Sequence, residues 1–180
     1  MKVTVFGGAS PKVGERAYEQ ALRLGKLLGE AGHTVLTGGY IGTMEAVSCG
    51  AAEAGAYVIG VTCDEIENWR QVSCNRWVNQ EIRLPTLRQR LFALIENCDA
   101  ALALPGGPGT LAEVAVMWNH LLTEAISPRP LILIGPEWKT TFDAFYSALG
   151  DYTPIQHRRW LSFAETVDSA LPLLQNHHNS

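Results

Sequence analysis

The chain is short of positive charge and lacks the patterns that mark metal, membrane or secretory proteins. Its 180 residues hold four lysines and ten arginines against 18 acidic residues, a formal net charge of −4. The arginines are scattered apart from Arg88/Arg90 and Arg158/Arg159, so no broad basic face is offered to a nucleic-acid backbone. The four cysteines, Cys49, Cys63, Cys74 and Cys98, are widely spaced and form no C-x-x-C pair. That pattern signals neither a zinc site nor a disulfide framework and reads as free, buried thiols. No apolar run approaches the ~20 residues of a membrane span, so no membrane partner is expected. Met1-Lys2 leads straight into the apolar run 3–6 without the basic region, long apolar stretch or cleavage site of a signal peptide, which makes the cytoplasm the expected location. His177-His178 read as a solvated tail rather than a chelator.

What remains is globular: 47% hydrophobic and 18% charged residues, with a length that fits one domain over 1–180. Short apolar runs at 3–6, 34–36, 57–61, 100–104 and 131–134 suit strands buried on both faces. Helical patterns lie between and beyond them at 14–31, 44–54, 84–97, 111–124, 140–149 and 164–174. Gly32 closes the first of these as a C-terminal glycine should. Such alternation predicts an α/β fold of the doubly wound class, a mainly parallel sheet with helices on both faces. Residues 62–81, with three asparagines and two tryptophans, show little period and are expected to form a long loop. Trp69 and Trp77 could there serve as a lid, a partner surface or plain packing. Residues 152–160 read as an irregular, solvated surface segment.

In open parallel sheets ligands bind beyond the carboxyl ends of the strands, and three turns expected there are rich in glycine: Gly7-Gly8-Ala9-Ser10, Gly38-Gly39-Tyr40-Ile41-Gly42-Thr43 and Pro105-Gly106-Gly107-Pro108-Gly109-Thr110. Glycine lets backbone approach an anion, and a following helix offers unpaired N–H groups with partial positive charge. Phosphate is the natural guest. The second run ends in Thr37-Gly38-Gly39 rather than an acidic residue, which disfavours NAD, and no glycine turn carries the lysine of a P-loop. No metal cluster is apparent, and neither metal nor cofactor is called for.

Glu113 follows Thr110 by three residues and so shares its helix face. Thr-x-x-Glu is also a capping box, but the preceding glycine run favours a carboxylate set above an anion cradle, and the two roles can coexist. Met117, Trp118 and His120 further along read as core or dimer packing.

The segment from Pro105 to Glu113 matches the P-G-G-x-G-T-x-x-E signature and resembles the LOG family, the cytokinin riboside 5′-monophosphate phosphoribohydrolases, also labelled lysine decarboxylase-like. Phe6-Gly7-Gly8-Ala9-Ser10, Gly38 to Met44 and Val58-Ile59-Gly60-Val61 resemble that family's other landmarks in order. The resemblance implies a Rossmann-like nucleotide-binding fold, a homodimer, and hydrolysis of a nucleoside monophosphate such as AMP or a cytokinin nucleotide to free base and ribose 5-phosphate. It pairs the glutamate with an arginine that falls, by register from Asp99, on Arg90. Leu87, Arg88 and Leu91 depart from the family's M-H-x-R-K motif, Tyr40 stands for a third glycine, and Glu45 stands where glycine is usual. Arg90 adjoins the Leu87, Leu91, Leu94 and Ile95 stripe, and its direction is open from sequence.

On this resemblance the expected catalytic pair is Arg90 and Glu113. N-glycosidic cleavage passes through an oxocarbenium-like sugar, so Glu113 would aim water and supply negative charge, while Arg90 would clamp phosphate or support the leaving base. Phosphate and nucleotide contacts are expected from Gly8, Ser10, Gly38, Gly39, Gly42, Thr43, Pro105, Gly106, Gly107, Gly109 and Thr110. Two other functions share these turns: a non-catalytic carrier, like the related molybdenum-cofactor carrier proteins, and a nucleotide sensor.

Overall fold

A computed structural model describes residues 1–176, so His177-His178 lie outside the described residues. Seven strands, β1 (Lys2–Phe6), β2 (Thr34–Thr37), β3 (Val58–Cys63), β4 (Gln80–Leu84), β5 (Ala100–Ala103), β6 (Leu131–Ile134) and β7 (Ser162–Ala164), form one sheet in the order β4-β3-β2-β1-β5-β6-β7. Every pairing is parallel. The connecting helices are α1 (Arg16–Glu30), α2 (Thr43–Glu53), α3 (Asp64–Arg70), α4 (Leu87–Glu96), α5 (Pro108–Leu122), α6 (Pro136–Leu149), the single turn α7 (Ile155–Arg158) and α8 (Val167–Asn176). This is the Rossmann-like α/β architecture expected from the alternating pattern.

The strands' period of two divides the core. Val3, Val5, Val35, Val58, Leu102 and Ile132 pack on one side with α1, α2 and α8. Phe6, Val61, Ala101, Ala103, Leu131 and Leu133 pack on the other with α4, α5 and α6. The chain leaves β1 toward β2 on one side and returns from the far edge to place β5 on the other. The carboxyl ends of β1 and β5 therefore meet at the topological switch point, where such sheets open a crevice.

The expected long loop at 62–81 is corrected. Strand β3 runs on to Cys63, α3 follows at once, and β4 begins at Gln80. As the sheet's edge, β4 carries Gln80, Glu81 and Arg83 exposed beside half-buried Ile82 and Leu84, so it offers no continuous apolar run to read. Strand β7 was hidden for a simpler reason: three residues are too few to show a period. The segment 152–160 is partly ordered by α7 and is not wholly solvated, because Thr153 is buried and the Arg158 guanidinium lies over the Tyr146 ring. Trp69 is exposed on α3 under the Arg70 guanidinium, and half-buried Trp77 carries Arg76 in the same way. Met117 and Trp118 are core residues.

Helices α1 and α2 touch backbone to backbone. A Cβ on Gly25 would overlap the Val47 carbonyl, and one on Gly50 the Leu22 carbonyl. Alanine is the better helix former by about 1 kcal/mol, yet Gly25→Ala is expected to destabilise the fold, because overpacking of this kind costs roughly 1–3 kcal/mol. Thermal unfolding checks it: the midpoint falls, by about 2–4 °C for each kcal/mol lost.

Candidate functional site

Three glycine turns meet above the switch point, and the first is their hub. The Gly8 carbonyl accepts both the Thr43 N–H and the Thr43 hydroxyl, each at 3.0 Å. Gly42, at φ +74°, passes so close to Gly8 and Ala9 that a side chain there would collide with their backbone. On its other flank Gly8 adjoins Gly106, whose Cα would lie 3.5 Å from a Cβ on Gly8. Ser10 is exposed on the same loop.

The second turn spends its polar groups inside the chain. Gly39 N–H donates to the Thr37 hydroxyl at 3.1 Å. The Gly39 carbonyl accepts from Asn75 N–H and Nδ2, at 2.8 and 3.0 Å, and the Tyr40 carbonyl accepts from Asn75 Nδ2 at 3.0 Å. The Gly38 carbonyl accepts from Arg90 Nη2 at 3.1 Å. Gly38 has to be glycine, since a Cβ there would occupy the place of the Arg90 guanidinium and the Met44 sulfur.

The third turn is built the opposite way. Pro105, Gly106, Gly107, Pro108 and Gly109 are exposed. A Cβ on Gly107 or Gly109 would meet no atom within 4 Å, and neither residue has a positive φ. Gly106 alone is required sterically, by the Thr110 side chain against it. Helix α5 starts at Pro108 with Gly107 as its N-cap, three residues earlier than the sequence pattern suggests. Thr110 is therefore inside the first turn and not the N-cap, which corrects the capping-box reading. The first-turn N–H groups of Gly109 and Thr110 precede the point where an intrahelical acceptor exists, whereas Leu111 N–H already reaches the Gly107 carbonyl.

Beneath this open cradle lies a buried ion pair. Arg90, on α4, turns inward and is 6% exposed, and Glu113, on α5, is 8% exposed. Arg90 Nε donates to the Val61 carbonyl at 2.8 Å, Nη2 donates to Gly38, and Nη1 lies 3.7 Å from Glu113 Oε1. Burial pushes the Glu113 carboxyl up to about 7, against the lowering field of Arg90. Such a group is poised to exchange a proton near neutrality.

The structure thus brings Arg90, Glu113, Gly8, the Gly38-to-Thr43 turn and the Pro105-to-Thr110 turn to one edge. Sequence reasoning missed Tyr40, Met44, Val61 and Asn75, which hold the arginine and the second turn in place. Only Tyr40 carried a signal, as a large residue inside a glycine turn. Among the described residues no group of three or more His, Cys, Asp or Glu side chains is placed to hold a metal ion, and no helix is long and apolar enough to cross a membrane.

Two outcomes follow from this geometry. Gly38→Ala is expected to lower the thermal midpoint by unseating Arg90, while Gly109→Ala leaves it near the wild-type value, as for other open surface positions. The raised Glu113 carboxyl also ties stability to pH. Below pH about 4.5 it is protonated in both states; between about 4.5 and 7 only the unfolded chain ionises, so stability falls, and above 7 the loss of roughly 3 kcal/mol is complete. Urea unfolding at pH 5 and pH 8 should show that part of the difference vanish in Glu113→Gln.

The chain is similar to several known proteins. A cytokinin riboside 5′-monophosphate phosphoribohydrolase of Arabidopsis thaliana is 28% identical over 151 residues, covering 82% of this chain and 66% of that protein. A pyrimidine/purine nucleotide 5′-monophosphate nucleosidase of Escherichia coli is 33% identical over 144 residues, 75% of this chain but 31% of that one. The chain therefore spans about two thirds of the first relative and a third of the second. Among solved structures, the molybdenum cofactor carrier protein of Chlamydomonas reinhardtii superposes with a TM-score of 0.75 at 23% identity over 99% of this chain and 98% of that one, a likeness of fold. The model of the SLOG cluster4 family matches residues 1–128, from the first strand past the end of α5 and so across all three turns; the chain belongs to that family.

Proposed function

We propose that this protein hydrolyses the N-glycosidic bond of a nucleoside 5′-monophosphate, releasing the free base and ribose 5-phosphate. The observation that carries the reading is the buried Glu113 facing Arg90, one turn inside the helix whose open first turn suits a phosphate. Gly107 and Gly109 support it, because neither backbone conformation nor packing asks for glycine there. Space kept clear beside helix N–H groups suits an incoming anion.

In this reading the phosphate rests on the N–H groups of Gly107, Gly109 and Thr110 and on the Thr110 hydroxyl, with Pro105 and Gly106 shaping the turn and Gly8 and Ser10 at its flank. Glu113, when ionised, takes a proton from a water molecule whose oxygen bonds to the anomeric carbon. The bond from that carbon to the base nitrogen breaks with its electron pair going to the base, which then takes up a proton from Glu113 or solvent. The carboxylate also offsets the positive charge that develops on the sugar. Gly38, Gly39, Gly42 and Thr43 serve the site by fixing its frame, since their polar groups or close approaches are used within the chain. Arg90 supports Glu113 in place of the phosphate clamp suggested by its charge alone.

The test is purified protein with AMP and with isopentenyladenosine monophosphate, following free base and ribose 5-phosphate. Base release by the wild type that drops by about 100-fold or more in Glu113→Gln is expected. The kcat/KM should rise with pH through about 7, where Glu113 ionises. Binding of the nucleotide or of a pterin phosphate without base release would overturn the reading in favour of a carrier.

A further inference from the structure

Strand β3 outruns its neighbour. The β2–β3 pairing ends at Thr37 opposite Gly60, yet β3 continues to Cys63. Val35 N–H bonds to the Tyr57 carbonyl, and in a parallel pair alternate residues face the same neighbour. Residues 57, 59, 61 and 63 therefore turn their backbone groups toward β2, and the last two extend past its end. Two side chains take over there. Arg90 Nε donates to the Val61 carbonyl at 2.8 Å. The Tyr40 hydroxyl accepts the Cys63 N–H at 2.7 Å and donates to the Cys63 carbonyl at 3.1 Å.

The same tyrosine is 3% exposed, and its ring centre lies 5.6 Å from the Arg90 guanidinium carbon. Arg90 is thus held by the Val61 carbonyl, by the Gly38 carbonyl, by the Met44 sulfur at 3.8 Å from Nη2, and by an aromatic wall. Nη1 is the nitrogen left to face Glu113. We infer that Tyr40 is a positioning residue: its ring, pinned to the end of β3 by the two hydrogen bonds of its hydroxyl, confines Arg90 to the one orientation that serves Glu113 and keeps it off the ligand.

A plain core filler would need no hydroxyl at this place. The bonds to Cys63 remove the ring's freedom to slide, and Asn75 holds the Tyr40 backbone from the other side. Burial pushes the phenol above its ordinary range, against the opposing effects of its bond with the Cys63 backbone and the field of Arg90. It therefore stays a neutral donor and acceptor wherever Glu113 titrates. Facing Tyr40 are Glu67 from α3, Arg90 from α4 and the Cys63 thiol from β3; the charge whose field reaches Glu113 is Arg90. Loosening Arg90 lets the Glu113 carboxyl hold its proton more tightly.

This inference rests on the hydrolase reading for its kinetic consequence but not for its electrostatic one, so two readouts are needed. Tyr40→Leu keeps apolar bulk without the flat ring or hydroxyl, and Tyr40→Phe loses the hydroxyl alone. Carbon-13 NMR of the glutamate carboxyls, with Glu113 identified by the signal missing in Glu113→Gln, follows the titration directly. The expected result is a Glu113 midpoint above the wild-type value in Tyr40→Leu and a smaller move in Tyr40→Phe. With AMP as substrate, kcat in Tyr40→Leu falls by about tenfold or more while KM changes little, as for a misplaced reacting group. A merely structural tyrosine would lower the thermal midpoint of both variants and leave the titration in place. An unmoved midpoint in Tyr40→Leu, or in Tyr40→Phe should the first variant not fold, overturns the inference. Absence of base release from the wild type overturns the hydrolase reading instead, and the NMR titration still decides the role of Tyr40.

Discussion

A guanidinium turned away from water has to find acceptors for its N–H groups, and Arg90 meets that demand at the carboxyl edge of the sheet. One acceptor is the Val61 carbonyl, left over where β3 outruns β2; another is the Gly38 carbonyl, where β2 turns away. The turn can supply that carbonyl only if nothing fills the space over it, which is why residue 38 has no side chain. The mismatch in strand length, the glycine and the arginine are one arrangement. Removing any member leaves a buried polar group without its partner, the costly half of hydrogen-bond energetics.

The glycines at this edge look alike in sequence and differ in physical purpose. Gly42 and Gly39 take positive φ and pack against backbone or side chains; Gly38 and Gly106 make room for Arg90 and Thr110. Gly107 and Gly109 answer to neither need. The second turn is thus occupied by the protein itself, with the carbonyls of Gly38, Gly39 and Tyr40 and the Gly39 N–H engaged at 2.8 to 3.1 Å; the first gives its Gly8 carbonyl to Thr43 at 3.0 Å, and the third is left open. The division explains how a site can be rigid and accessible at once: the frame is closed by internal bonds, and the cradle presents only a helix end.

Much of this was legible from residues alone because its signals are local. Apolar runs of three to five residues marked the central strands, and the P-G-G-x-G-T-x-x-E segment located the open turn and Glu113. What escaped was whatever depends on an edge or on a long-range partner. Strand β4 lacks an apolar run because its outer side has no neighbour, and the direction of Arg90 is set by carbonyls 29 and 52 residues away in sequence. The Thr-x-x-Glu spacing was ambiguous for a local reason: it fits a capping box as well as a shared helix face. The start of α5 at Pro108, a residue suited to the first helical position, decides between them.

The placement of charge limits what each group can do. A phosphate dianion at the start of α5 and an ionised Glu113 one turn further in would repel each other, and burial already works against the carboxylate. Two features oppose this: the helix end, which favours negative charge near its first turn, and Arg90 at 3.7 Å. If Arg90 reached up to the phosphate, it would abandon two carbonyls and leave Glu113 to take up a proton, disarming the base as the ligand arrived. Its bonds to β2 and β3 prevent that exchange. In the proposed reading the neutral cradle would hold the phosphate with N–H groups and helix dipole, while Arg90, the one buried cation among the described residues, keeps the carboxylate available.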